Sequence, residues 1–491
     1  MLFLSLSLSR LVSHMKTLDS IIADLVLHAL APAKLQAVSD LVDKLTEDVE
    51  KITMLPNERN EALDELKIYG RIPQDAEPIF TRDAIHMLLR HAFFSPSSET
   101  ARAALRVLAN AMLLKADTRQ MFVDLGFAPR ACYELKKENW DNELLVSRIL
   151  FLTTYETDVD LLCLIEKHRL AENLVENLHR HAKAMSNKAK AKADPMEPLA
   201  LAESLKLLFN VTHFCKEKLA CFTPAVPHIA ALFLKQDIAD CKPLDPPIGP
   251  LVNALLNLDL STDKSQAALY PKSDVNKVAS RLVELLAKSL EVYDDNELEA
   301  VVTPLISLLS KMYQTAPDTV QQYLRKSLLP TAKDRQGILG RGDTLSARLL
   351  KNSTNPVAPA LRDAISELLF DMSDKDASKF VENVGYGFAS GFLFQNNVPI
   401  PASASEAFCT GDETGDERPV NPVTGQFLDR ETQPLTPEMT EEEKQREAER
   451  LFVLFERLKK TGVVNVENPV GEAIRQGRFR ELGDDEVEEV D

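Results

Sequence analysis

The chain has 491 residues, 45% of them hydrophobic, with only 16 glycines and a formal net charge of −18. That length allows roughly two to four domains. The scarcity of glycine argues against strand-rich folds, which need it at turns and bulges, and the acidic balance argues against an extended nucleic-acid footprint, which needs a basic face.

Residues 1–17 come first. Met1 to Leu8 is apolar, but no basic residue precedes it and Arg10 interrupts it, which makes a poorly formed secretory signal. A disordered extension, or a start codon placed upstream of Met15, is the expectation. No stretch of 18 apolar residues occurs elsewhere, so no membrane span is expected. Cys132, Cys163, Cys215, Cys221, Cys241 and Cys409 form no CxxC pair and meet no paired histidines at zinc spacing. They read as reduced, mostly buried thiols of a cytoplasmic protein.

Residues 18–394 form a series of helical patterns separated by short polar or Pro-containing breaks, and Leu and Ala, both strong helix formers, dominate their apolar positions. Two insertions stand out. His179 to Pro198 (179–198) is basic and Ala/Lys-rich, and reads as a flexible loop. Cys241 to Pro250 is Pro-rich and reads as a stiff connector.

One pattern recurs: an aliphatic residue, two residues, an apolar residue, one residue, then a polar residue. It occurs at Leu66–Arg71, Leu105–Asn110, Leu205–Asn210 and Val252–Asn257, with Val146–Phe151 as a further copy between them. The spacing matches armadillo/HEAT units of roughly 40 to 47 residues. Such helix pairs cannot bury their apolar faces alone and stack into a superhelix. The fold class expected is therefore all-α, an armadillo/HEAT-like solenoid. The aliphatic positions face the shared core. The column Arg71, Asn110, Asn210 and Asn257 then either lines the concave groove and clamps a bound peptide backbone, or is an ordinary set of polar residues on exposed helix faces.

Residues 395–439 are rich in Pro, Ser, Thr, Asp and Glu and read as a disordered acidic linker. Within it Ser403, Thr410 and Thr414 each precede an acid by three residues, the arrangement that acid-directed kinases favour. Residues 440–462 read as an amphipathic helix. Thr440 and Glu443 form a capping box. Ala448, Leu451, Phe452, Phe455 and Leu458 make one apolar stripe, and Gly462 supplies a stop. An acidic tail, 463–491, follows. The helix docks either on its own solenoid or on a partner.

No catalytic pattern is present. Walker, GxSxG and HExxH motifs are absent. Gly337-Ile-Leu-Gly340-Arg-Gly342 is glycine-rich, but it follows no strand and lacks the phosphate-binding lysine. His179 and His181 read as solvated rather than metal-bound. No cofactor, metal or catalytic residue is expected, and Gly126 and Trp140 read as structural.

The tail Asn421-Pro-Val-Thr-Gly425, followed by Met439-Thr-Glu-Glu-Glu-Lys444 and Arg450-Leu-Phe-Val-Leu-Phe455, resembles that of the synembryn proteins. Gly385-Tyr-Gly387 with Gly391, Ser147-Arg-Ile-Leu-Phe-Leu152, Leu208-Phe-Asn210 and Leu255-Leu-Asn257 resemble further segments of that family. They run in the same order over about residues 60–460, closest to fungal-type members. The resemblance implies a cytosolic guanine nucleotide exchange factor and folding chaperone for heterotrimeric G-protein α subunits. Its groove would hold the C-terminal helix of the GDP-bound or nucleotide-free α subunit, and the tail helix would reach the switch region. Loosening the nucleotide site releases GDP, which requires no catalytic residue in the exchange factor.

By that resemblance Arg71 and Asn110 are the first groove contacts, then Arg148 and Asn210, and last Asn257. Leu451, Phe452, Phe455 and Leu458 are the tail contacts. The resemblance also loosely implies phosphorylation near Thr410 and Thr414. The chain is expected to be a monomer with no nucleic-acid partner. The competing reading is a helical-repeat adaptor or scaffold for another peptide. Trp140 as the single tryptophan counts against an importin-like Trp–Asn ladder.

Overall fold

The computed structural model describes residues 20–187, 194–399, 408–411 and 417–431, with residues 440, 446 and 450; side chains are described for residues 33–186, 194–399 and 418–431 and for those last three. Residues 1–430 form one compact unit and 431–491 a second. In the second, Arg446 and Arg450 are helical, while Leu451, Phe452, Phe455 and Leu458 lie outside the described residues.

The first unit is built from consecutive helices: α1 (Ser20–Lys51), α2 (Pro56–Tyr69), α3 (Arg82–Phe94), α4 (Ser98–Leu114), α5 (Asp117–Asp124), α6 (Ala128–Glu134) and α7 (Trp140–Thr153). Next come α8 (Leu161–His168), α9 (Leu170–Asn187), α10 (Glu197–Phe214), α11 (Leu219–Phe222), α12 (Val226–Lys235), α13 (Ile248–Asn257) and α14 (Asp263–Leu269). The last are α15 (Lys277–Val292), α16 (Asp295–Thr315), α17 (Asp318–Leu328), α18 (Leu345–Asn352), α19 (Pro359–Met372), α20 (Ala377–Val384) and α21 (Tyr386–Gln395).

Local chemistry sets many of the boundaries. Ser97, Asn139, Asp160, Thr262, Asp294, Thr344 and Asp376 each cap a helix, their side chains accepting from backbone N–H groups of the first turn. Such a cap contributes about 1 kcal/mol.

Helices α2, α4, α7, α10, α13, α16 and α19 each pack on the next and make one continuous row. They begin at Pro56, Ser98, Trp140, Glu197, Ile248, Asp295 and Pro359, so the step is even at first and then lengthens. A second row, α6, α9, α12, α15 and α18, runs alongside. This is the stacked-repeat architecture expected from the periodicity. The first aliphatic position of every copy of the pattern is sealed: Leu66, Val146 and Leu205 are 0% exposed, and Leu105 and Val252 1%. The pattern continues on the later helices of the row. Leu305–Ser310 on α16 and Ile365–Phe370 on α19 repeat it, with Leu305 and Ile365 fully buried.

Three expectations require correction. The first is the flexible loop at 179–198. Helix α9 runs through Asn187 and α10 begins at Glu197; residues 188–193 lie outside the described residues. Leu170, Leu174 and Leu178 are fully buried, and His181 continues their face at 0% exposure.

The second is the disordered linker at 395–439. Strand β1 (Phe408–Gly411) pairs antiparallel with β2 (Glu417–Val420), Phe408 opposite Val420. The all-α fold thus carries one two-stranded ribbon. The chain then turns at Asn421–Gly425. The Asn421 side chain accepts from the Val423 and Thr424 N–H groups, and the Gly425 N–H donates to the Asn421 carbonyl at 2.8 Å. Gly425 has φ +69°, and a Cβ there would lie 2.3 Å from Leu339 Cδ1, so glycine is required. The turn is strapped to the end of the solenoid. The N–H groups of Tyr386 and Gly387 donate to the carbonyls of Pro422 and Val423, and Phe427 N–H donates to Arg335 O at 3.0 Å.

The third concerns the cysteines. Cys132 and Cys215 are buried, but Cys221 and Cys241 are exposed and Cys163 is half-buried. The Gly337–Gly342 run is packing: a Cβ on Gly340 would meet the Phe388 ring at 2.6 Å.

Candidate partner-binding surface

The predicted column of polar residues sits at the C-terminal ends of the row helices, where the last carbonyls of each helix lack an intrahelical donor. Asn257 Nδ2 donates to Phe209 O at 2.9 Å and lies 3.3 Å from Thr212 Oγ1. Asn210 Nδ2 donates to Thr154 Oγ1 at 2.7 Å. Lys311 donates to the Leu256 and Leu258 carbonyls at the end of α13, where a cation also meets the negative end of the helix dipole. Each residue reaches from its own helix to the preceding repeat.

These contacts correct part of the ladder reading. Asn210 is 6% exposed, its amide held between repeats rather than presented on a helix face. Asn257 is half-buried, with its amide donor on α10. Arg148 pairs with Glu203 at 2.9 Å, and Glu203 also pairs with Lys206 at 3.1 Å. Burial works against the Glu203 carboxylate, but Lys206 and Arg148 together hold it below its ordinary range. Arg71 is exposed just past α2, and Asn110 is half-buried on α4. Neither side chain meets a hydrogen-bond partner among the described residues. The column therefore divides by its surroundings: Arg71 and Asn110 have no side-chain hydrogen bond among the described residues, Arg148 is held by Glu203, and Asn210 and Asn257 bond across repeats.

Aromatic residues lie beside the column, and the sequence pattern alone does not single them out. Phe151 meets Tyr155 edge-on at 5.1 Å between ring centroids. Phe209 stacks on His213 at 6.2 Å, and His213 meets Phe214 at 5.3 Å. Phe151, Tyr155 and Phe209 are half-buried, His213 is exposed, and Phe214 is 54% exposed. Rings and polar ladder share the C-terminal ends of α7 and α10, with the Asn210–Thr154 bond linking the two. One signal does point to them: Phe151 fills a position that four of the five copies in the sequence analysis give to a polar residue. An apolar seam with amides beside it can seat an amphipathic helix and hold its backbone.

Towards the N-terminal ends of α7 and α10 lies a buried ionic cluster. His181 Nε2 is 2.9 Å from Glu143 Oε1 and its Nδ1 is 3.0 Å from Glu197 Oε1. Arg180 pairs with Glu143 at 2.7 Å, and Ser204 donates to Glu143 at 2.6 Å. Trp140 stacks on His181 at 4.5 Å. Burial disfavours the imidazolium, but the two carboxylates outweigh it and raise the His181 pKa above its ordinary value. Burial likewise opposes the Glu143 charge, yet His181, Ser204 and Arg180 hold its carboxyl below the usual range. The cluster ties α7, α9 and α10 together. His181 is thus a structural cation rather than a solvated loop residue.

Among the described residues no group of three or more His, Cys, Asp or Glu side chains is placed to hold a metal, and no helix is long and apolar enough to cross a membrane. A stacked-helix surface with a seam of rings and amides is what this chain offers.

The family model for guanine nucleotide exchange factor synembryn matches residues 62–478. The chain belongs to the synembryn family. Among curated relatives, a synembryn-like chaperone of Schizosaccharomyces pombe is 27% identical over 69% of this chain and 66% of its own length, just under two thirds. Chaperone Ric-8A of Xenopus laevis is 24% identical over 82% of this chain and 81% of its own. Chaperone Ric-8A of Mus musculus is 24% identical over 90% and 88%. The synembryn match takes in every helix of the first row from α4 onward with most of α2, the strap and the start of the tail. The family's role is regulatory, as an exchange factor and chaperone.

Proposed function

We propose that this synembryn grips the α subunit of a heterotrimeric G protein, promotes GDP release, stabilises the nucleotide-free state and assists folding of that partner. The seam Phe151, Tyr155, Phe209, His213 and Phe214 carries this reading: it supplies an aromatic track, half-buried to exposed, on consecutive repeats, with Asn110 and Arg71 on the same row. The C-terminal helix of the α subunit is amphipathic cargo of the right kind. Its apolar face lies on the rings, and Arg71 and Asn110 hold its polar edge. Arg148 contributes at the rim. Asn210 and Asn257 act indirectly by fixing the repeats that present the rings. The stripe Leu451, Phe452, Phe455 and Leu458 engages the nucleotide domain, and phosphorylation at Ser403, Thr410 or Thr414 tunes the complex by added negative charge. The protein works as a cytoplasmic monomer.

Energetically this is a shift of population. A surface that binds the nucleotide-free α subunit better than the GDP-bound one must speed or favour release, with no catalytic group of its own. The test is release of labelled GDP from a purified α subunit with and without this protein. Faster release and a stable nucleotide-free complex are expected; unchanged release with no complex would reject the reading. For the seam, Phe214→Ala combined with Phe209→Ala should raise the Kd for a peptide of the partner's C-terminal helix by about tenfold or more. An unchanged Kd in a folded double variant would remove the seam from the site.

A further inference from the structure

At the C-terminal end of α3 and along α6, cations and exposed rings alternate in one strip. Arg90 lies over the Phe94 ring at 5.3 Å. Arg130 lies 5.6 Å from the same ring and 5.4 Å from Tyr133. Lys136 lies 5.3 Å from Tyr133. The order by contact is Arg90, Phe94, Arg130, Tyr133, Lys136, so each ring is flanked by two cations. Phe94 is 58% exposed and Tyr133 56%. Lone exposed apolar residues are ordinary, but two rings bridged by one guanidinium are a contiguous, preorganised patch of the residue types that dominate binding hot spots. The strip is rigid beneath. Phe94 packs edge-on against Phe127 at 6.1 Å, and Arg130 donates to Phe93 O at 3.3 Å, joining α6 to the end of α3.

The charge balance is local and positive. Glu134 is buried, and it pairs with Arg130 at 3.3 Å and with Lys137. Arg90 and Lys136 are exposed and have no acidic partner among the described residues. Glu138 is the exposed acid nearest in sequence. In a chain of net charge −18, this is a basic island studded with rings.

We propose that the strip is a docking site for an acidic segment of a partner protein, one in which carboxylates alternate with apolar side chains. Carboxylates pair with Arg90, Arg130 and Lys136, and the apolar residues between them lie on Phe94 and Tyr133. An extended chain points successive side chains to opposite sides, so carboxylate and apolar residues that take turns at every second position all face the strip. An anionic bilayer fits worse. A flat membrane faces the whole acidic surface, whereas a short segment meets only charges within about one Debye length, ~8 Å at physiological salt.

The test uses the full chain and fluorescence anisotropy of a short labelled peptide in which glutamate and leucine take turns at every second position, with serine between them. The controls are its glutamine–leucine counterpart and phosphatidylserine/phosphatidylcholine vesicles. Binding of the glutamate peptide, weakened by salt, is expected, with little binding of the glutamine peptide. Arg90→Glu with Lys136→Glu, both surface changes, should raise the Kd by about tenfold or more with an unchanged circular dichroism spectrum. Should that variant fail to fold, Tyr133→Ser alone carries the same test with a smaller shift. Equal affinity for both peptides, a Kd that ignores these substitutions, or binding to vesicles without binding to the peptide would each overturn the proposal.

Discussion

The segments around His181 and around Arg335 have the same appearance in sequence and different physics in the fold. Each lies in or against a stretch whose composition reads as unable to fold: the basic run 179–198, and the acidic linker 395–439, of which Gly425 and Phe427 bond to Arg335. Each is ordered around one buried cation. His181 is surrounded by the carboxylates of Glu143 and Glu197. Arg335 Nη1 donates to Gly425 O at 2.9 Å, and its Nη2 to Glu382 O and Asn383 O at 2.8 and 3.0 Å. Burial lowers the Arg335 pKa to about 10, which still leaves it charged at neutral pH. The histidine cluster is therefore a charge device that answers to pH, and the arginine strap is a hydrogen-bond device that does not.

The largest expected effect is at the charge device. His181→Leu leaves Glu143 buried without its central partner, and loss of roughly 3–5 kcal/mol is expected, read from denaturant midpoints. A loss under about 1 kcal/mol would mean that the cluster is solvated and the contrast is false. Arg335→Met comes next. It strips three carbonyls of their donor but leaves no buried charge, so a loss of about 2–4 kcal/mol is expected, with faster proteolysis at Asn421–Arg430 and an intact first row. Arg335→Lys should rescue little, because one ammonium cannot reproduce the planar fork; full rescue would show that charge alone holds the strap.

Gly425→Ala is smaller, about 1–3 kcal/mol, since it meets both a positive φ and Leu339. It should loosen the strap without touching the thermal behaviour of the His181 cluster. Coupled loss at both places would erase the distinction between them.

The smallest effect is pH dependence, and it separates the two most directly. The folded imidazole holds its proton more tightly than the unfolded one. Its stabilisation is therefore complete below about pH 6.5 and fades as pH rises through the raised folded value. Glu143 sets the other edge. Its carboxyl is depressed in the fold, so its contribution is present above about pH 4.3 and is lost as pH falls through the depressed value. Thermal midpoints measured across this range should fall less steeply on the alkaline side in His181→Gln than in the unmodified chain. Arg335→Met should keep the original slope. Identical profiles for all three would sink the assignment.

Both segments hide their order in sequence for one reason. On α9 the apolar stripe Leu170, Leu174 and Leu178 passes into His181, a residue counted as polar, so the stripe looks as if it stops where the helix in fact continues. In the strap, Val420 and Phe427 are fully buried, but two apolar residues in a polar run do not announce a folded segment. The strap's partners, Arg335, Leu339 and the start of α21, lie far away in the chain. The column residues lie at the helix ends where the repeat pattern puts them, and there Asn210 and Asn257 bond to the preceding repeat. Position in a repeat says which end of a helix a side chain occupies; it does not say whether a neighbouring carbonyl or a partner will take its hydrogen bond.

The sequence by itself determined the class of fold and the register of the first row. Aliphatic residues recurring at helical spacing must be buried, and only stacking of repeats can bury them. It also carried the family, through short motifs in fixed order. Tertiary structure alone decided which polar residues of the column bond to their own neighbours and which do not. It also decided that a histidine would be a cation between two carboxylates, and that a linker would become a strap. Those outcomes depend on distances between residues far apart in the chain, and burial changes the balance between charge, hydrogen bond and solvent only once those residues have met.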